Sequence, residues 1–224
     1  MPQANIFSWR GGIGWLILSG GGPSDSDDVF SIESMALSHT VSPGPVAYIW
    51  AAGDIETADR HMDLLRDMGA RTGYMVDILA EEDDALFRQL AEAGMIILGD
   101  GPRQSTLREA LVGVALRGIE EAFGRGATIY SAGASAAHWG AYALQDDALV
   151  PGFGWLRHAV VLPGYTSDQA ERLRDCVRQI PDALGYGLGL GVGAALAFGP
   201  GGELEVWGNR AITVSLGQSY NASA

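Results

Sequence analysis

Residues 127–140, ATIYSAGASAAHWG, set two serines, Ser131 and Ser135, among alanines and glycines and follow them with His138. A free serine hydroxyl is too weakly acidic to attack at neutral pH and needs a base beside it. The chain has four histidines, so the base is the scarce component. His138 lies three residues after Ser135, on the same face of any helix formed there, and is the local candidate for that base. The plainer reading is a packed or surface histidine. His39 and His61 fall on early helical segments and read as solvated. Asp146 and Asp147 could orient an imidazole but cannot replace one, and read more simply as an exposed loop pair. Cys176 sits on an amphipathic segment without the strand-to-helix turn that a nucleophilic thiol needs. No His, Cys or carboxylate cluster has zinc spacing. The glycines from Gly187 to Gly193 open no helix, as a dinucleotide loop would. Neither a metal nor a cofactor is implied.

Short apolar runs alternate with helical segments along two thirds of the chain. GWLILS (14–19) runs into Gly20, Gly21, Gly22 and Pro23, as a buried strand runs into a tight loop. Residues 27–39 read as a helix, 45–51 as a strand, 56–69 as a helix, 72–78 as a strand, 82–94 as a helix and 95–99 as a strand. One helix from about Ser105 to Phe123 precedes the strand 127–132, and a helix of small residues starts near Ala134. This order predicts a mainly parallel sheet with helices on both faces. After a helix at about 167–179, the segments GYGLGLG, AALAFG, GELEVWG and RAITVSL read as strands joined by glycine turns and predict an antiparallel edge. No fixed-period repeat or low-complexity linker marks a boundary, so residues 1–224 read as one domain.

Composition narrows the partners. Fourteen basic against 27 acidic side chains give a net charge of −13, which repels a phosphate backbone or an anionic membrane. No apolar stretch approaches the roughly 20 residues that span a bilayer. A lone cysteine forms no internal disulfide, and MPQANIFSWRGG has no secretory pattern, so the expected address is the cytoplasm.

Four loops that follow strands, where open α/β sheets bind ligands, together carry a resemblance. They are SGGG (19–22), IILGDGPRQSTLREAL (96–111), RGATIYSAGASAAHWG (125–140) and PGFGWLRHAVVLPGYTSDQAERL (151–173). Their order, closed by GYGLGLGVGAALAFGPGGELEVWGNRAITV (185–214), resembles the serine peptidase S51 family, the cyanophycinase and aspartyl dipeptidase relatives, over roughly residues 14–216. The resemblance implies a three-layer α/β/α fold of the class I glutamine amidotransferase-like kind. In the second loop Gly101 and Gln104 match the family's oxyanion loop, whereas Pro102, which has no N–H, and Arg103 depart from it.

The third loop aligns with the family's nucleophile elbow in three ways. Without gaps, Gly133 takes the nucleophile's place, with Ala136 in the small-residue run behind it. With two residues deleted, Ser131 begins Ser-Ala-Gly-Ala; with two inserted, Gly133, Ala134 and Ser135 supply Gly-x-Ser. In the fourth loop Tyr165 matches an aromatic position, which puts Gly164 at the catalytic histidine. His158, six residues earlier on a strand rising about 3.3 Å per residue, falls near the opposite end of the sheet. Gly191 and Val192 stand at the family's acidic pair. The resemblance therefore implies a hydrolase of small aspartyl peptides with its catalysis impaired, or a non-catalytic relative that binds a small peptide or metabolite or serves assembly, for instance as a homo-oligomer.

Overall fold

The computed structural model describes residues 7–70 and 72–217. After a short β1 (Ser8–Trp9) come β2 (Trp15–Ser19), α1 (Asp27–His39), β3 (Val46–Ile49), α2 (Ile55–Asp67), β4 (Gly73–Val76), α3 (Asp83–Glu92) and β5 (Met95–Leu98). Then α4 (Gln104–Leu111), α5 (Val114–Gly124) and β6 (Thr128–Ser131) lead to a 3-10 turn at Gly133–Trp139. The chain continues through β7 (Gly140–Gln145), β8 (Ala148–Pro151), β9 (Leu156–Pro163), α6 (Ala170–Gln179), β10 (Tyr186–Leu190), β11 (Ala194–Phe198), β12 (Leu204–Gly208) and β13 (Ile212–Leu216).

The main sheet has the order β12-β11-β2-β6-β5-β3-β4. The strands from β2 to β4 in that order are parallel, while β11 and β12 form the expected antiparallel edge. β6, whose residues are all buried, is the middle strand. Continuous burial explains why β2, β3 and β5 read as unbroken apolar runs, since each has protein on both faces. Helices α1 and α2 cover one face, packing Ile32, Ala36, Ala58, Met62 and Leu65 on Ile17, Tyr48, Ile97 and Tyr130. The other face carries α3, α4 and α5 through Leu90, Leu107, Leu111, Ile119 and Phe123. The fold is thus mixed α/β with a mainly parallel sheet between helices.

A second sheet, of order β13-β10-β9-β7-β8 with β1 also on β9, was not foreseen. β10 runs parallel to β9, and β13 closes antiparallel on β10. Successive strand residues face opposite ways, so Ala159 and Val161 enter the core shared with the main sheet, while Val160 and Leu162 meet Leu173, Cys176 and Val177, which α6 supplies. GYGLGL and ITVSL therefore leave the main sheet, although AALAF and LEVWG stay in it. The hairpin β7–β8 turns at Asp146 and Asp147, both with positive φ (47° and 63°), and Asp147 pairs with Arg172 at 2.5 Å.

Helix ends follow local chemistry. Ser26 Oγ accepts from the Val29 amide at the start of α1, and Asp54 accepts from the Thr57 amide at the start of α2. The single helix expected over 105–123 is broken at Gly113, whose φ of 108° stops α4 and starts α5. Among the described residues no helix is long and apolar enough to cross a membrane.

Candidate functional site

Three adjacent parallel strands end together. The register pairs Leu18 with Ser131 and Leu98 with Ser131, so the loops Gly20–Gly22, Gly99–Gly101 and Ala132–Ala134 emerge side by side at the carboxyl end of the sheet. The turn after β6 has its left-handed residue at Gly133, with φ of 52°. A Cβ on Gly133 would lie 1.9 Å from Asp100 Oδ2, and one on Gly21 would lie 2.9 Å from the Gly133 Cα. Only glycine fits between these neighbours at that backbone angle. The apex of the strand-to-helix turn is therefore Gly133, neither serine.

Asp100, passed over in the sequence reading, fills the space above that apex. Its Oδ1 accepts from the Gly101 amide at 2.7 Å and from the Ala134 amide at 3.0 Å. Two backbone N–H groups from different loops converging on one oxygen are the arrangement that stabilises an oxyanion in acyl transfer. Here the oxygen belongs to the chain itself.

The serines are engaged or enclosed elsewhere. Ser135 Oγ donates to the Gly99 carbonyl at 2.6 Å, and Ser131 Oγ is buried without a hydrogen-bond partner among the described residues. Ala136 is fully buried in the core. His138 Nε2 donates to Gln104 Oε1 at 2.9 Å, and Gln104 Nε2 donates to the Gly101 carbonyl at 2.6 Å. That relay steadies the Gly101 loop and uses His138 away from both hydroxyls. His158 adopts a positive φ of 59° on β9 and contacts the Ala183 carbonyl at 3.2 Å.

Burial, with the Arg108 cation adding to it, holds the His138 imidazole down at about 4. A folded value below the unfolded 6.5 means that the stabilisation is whole above 6.5 and drains away as pH falls through about 4. The difference corresponds to about 3 kcal/mol. Urea unfolding at pH 7 and pH 4 should show the wild type losing about that much more than His138→Gln; equal losses would refute this role for the imidazole.

The remaining family positions also gather here. The Gly164 amide donates to the Gly20 carbonyl at 3.0 Å, and the Gly193 amide donates to Gly21 at 2.9 Å. Gly164 has φ of 65°, with nothing within 4 Å of where a Cβ would stand. Gly191 and Val192 line a cavity of about 470 Å³ with Tyr165, Thr166, Asp28 and Arg210. So the loops that carry the resemblance do converge, around a centre of glycine backbone and one carboxylate.

Behind that centre lies a network that the sequence reading missed. Tyr48 hydroxyl and His61 Nδ1 are 2.9 Å apart, and His61 Nε2 is 2.8 Å from Glu33 Oε1. Glu33 is 0% and His61 5% exposed, so His61 is not solvated as expected. His39 is half-buried instead, its ring 4.6 Å from Trp15 and 5.0 Å from Trp207. Periodicity held the signal for the first two: Val29, Ile32, Glu33 and Ala36 share one face of α1, and Ala58, His61, Met62 and Leu65 one face of α2. Burial first, then the negative charge of Glu33, pushes the phenols of Tyr48 and Tyr130 well above their usual range. Among the described residues no three His, Cys, Asp or Glu side chains gather as metal ligands would.

The architecture and the convergent loops define an α/β protein with its candidate site at the carboxyl ends of parallel strands. No protein-family model and no curated protein matches the sequence. Among solved structures, the fold is similar to that of a peptidase from an acI-B1 actinobacterium, with a TM-score of 0.69 and 17% identity, covering 91% of this chain and 90% of that one. It is also similar to that of a putative peptidase E protein from Listeria monocytogenes EGD-e, with a TM-score of 0.65 and 15% identity over 88% and 99% of the two chains. At such identity the likeness shows a shared fold and nothing finer.

Proposed function

We propose that the chain is a non-hydrolytic relative of the S51 peptidases, keeping their fold and loop geometry for binding a small peptide or metabolite. One observation carries this reading: the apex that would present a nucleophile is Gly133, and the Gly101 and Ala134 amides that would hold an oxyanion are occupied by Asp100. Without a hydroxyl at the apex no acyl-enzyme forms, and without an imidazole beside one none is activated. The cavity beside Gly191 and Val192 remains large enough for a dipeptide-sized ligand, with Arg210 and Asp28 supplying opposite charges for its two ends.

An active-site-directed fluorophosphonate should therefore label the wild type no more than it labels Ser135→Ala and Ser131→Ala. Turnover of an aspartyl dipeptide should stay at the buffer rate, several orders of magnitude below that of a complete triad. Stoichiometric labelling lost in one serine variant, with turnover lost in parallel, would instead establish a serine hydrolase with that residue as nucleophile.

A further inference from the structure

We propose that the small cavity between Glu33 and Asp100 is a recognition site for a primary ammonium group. It encloses about 60 Å³ and runs from exposed residues at the carboxyl end of the sheet, Asp100, Gly22 and Thr57, inward to Glu33, His61 and Tyr130. The proposal does not depend on whether the apex above it hydrolyses anything, because none of these inner residues touches the Gly133 turn's amides.

The first argument is an unmet acceptor. Glu33 is completely buried, and His61 engages only its Oε1. Among the described residues its Oε2 has no close hydrogen-bond partner, although the Tyr130 phenol interacts with this carboxyl group. Buried carboxylate oxygens are costly to leave unmatched, and this one belongs to a residue lining the cavity. A buried acceptor left over in this way asks for a donor.

The second argument is the chemistry of the wall. Its polar groups are two carboxyl groups, the phenols of Tyr48 and Tyr130, the hydroxyls of Ser24 and Thr57, and an imidazole whose two nitrogens are already engaged. Among the described residues no cationic side chain lines it, and no side chain can swing in as an ammonium, because all 14 basic residues of the chain are arginines. A group that only donates, carries positive charge and has three N–H bonds complements this set. The size agrees: the cavity matches roughly two waters' share of liquid volume, about 30 Å³ each, which suits an ammonium head with one attached carbon. A quaternary ammonium, by contrast, has nothing to donate. Longer amines must leave their remainder at the mouth, beside Thr57 and Asp100.

The test uses the full chain. Thermal melts with ammonium, methylammonium and glycinamide chlorides should show saturable rises in Tm, as expected for ligands that bind only the folded state. Sodium, potassium and tetramethylammonium chlorides at equal ionic strength should not. Glycinamide outperforming methylammonium would point to a peptide amino terminus as the source, and the reverse to a free amine. Glu33→Gln should weaken binding about tenfold or more, as loss of a charge-assisted hydrogen bond implies. Should that variant fold poorly, Tyr130→Phe, read by the proton–nitrogen signal of bound ¹⁵N-ammonium, should bind several-fold more weakly. An equal response to potassium, an unchanged response in either folded variant, or no response to any amine would overturn the proposal.

Discussion

Gly133→Ser is expected to lose about 2–6 kcal/mol of folding stability and to gain no hydrolysis. A non-glycine residue in the left-handed region costs about 1–3 kcal/mol when held there, and the φ of 52° is fixed by the strands that end on either side. The new Cβ would also fall 1.9 Å from Asp100 Oδ2, an overlap that overpacking measurements place at a further 1–3 kcal/mol or so. Asp100→Ala separates the two contributions. It frees the Gly101 and Ala134 amides at an exposed loop, where water can meet them. In the double variant the clash is gone and only the backbone strain remains. Urea unfolding of the four proteins should therefore give a coupling energy of about 1–3 kcal/mol between the two sites. A cost below 1 kcal/mol for the single change, or no recovery in the double, would mean that Asp100 does not occupy the apex. The double variant should still fail to hydrolyse, because the position opposite is Gly164, with open space where a base would stand.

The parallel sheet was legible because strands buried on both faces read as unbroken apolar runs, and glycines marked where each one stopped. WLILS, VAYI and MIIL could be placed from composition alone. The second sheet was not legible, since β8 and β13 are partly exposed, β10 is interrupted by glycines, and pairing partners far apart in sequence leave no local trace. Tyr186–Leu190 looks like an antiparallel neighbour of Ala194–Phe198, yet the turn between them carries the chain from one sheet to the other.

At the site, the sequence yielded the loops but left their alignment open. Ser131, Gly133 and Ser135 are equivalent as letters; they differ in which one lies where the backbone must turn left-handed beside another loop. That is a tertiary fact, set by Gly21 and Asp100 from strands over 30 residues away. Asp100 itself was hidden because a carboxylate in a glycine loop ordinarily means a solvated turn, and its role here depends on amides from two loops meeting over it. Glu33 and His61 were the more avoidable omission. Both sit on the apolar stripes of their helices, and polar residues in such stripes are paired when buried.

That buried pair sets the other large effect. His61→Ala is expected to cost about 3–5 kcal/mol, because it removes the imidazole that pairs with the buried Glu33 Oε1 and strands the Tyr48 hydroxyl as well. Replacing the whole network tells a different story. In the triple variant Glu33→Leu, His61→Leu, Tyr48→Phe the three mutually bonded polar groups go together, the Tyr130 phenol keeping Ser19, and apolar side chains of similar volume fill the space between α1, α2 and the sheet. Substitutions of this kind run from neutral to stabilising by about 1–4 kcal/mol, so the triple variant should unfold at or above the wild-type urea midpoint. A loss under 1 kcal/mol for His61→Ala, or a triple variant as weak as the single one, would show that these groups are not coupled as their distances imply. If the triple variant is as stable as the wild type yet no longer responds to ammonium, then folding did not require a carboxylate at position 33. The reason for keeping one would lie in what the cavity binds.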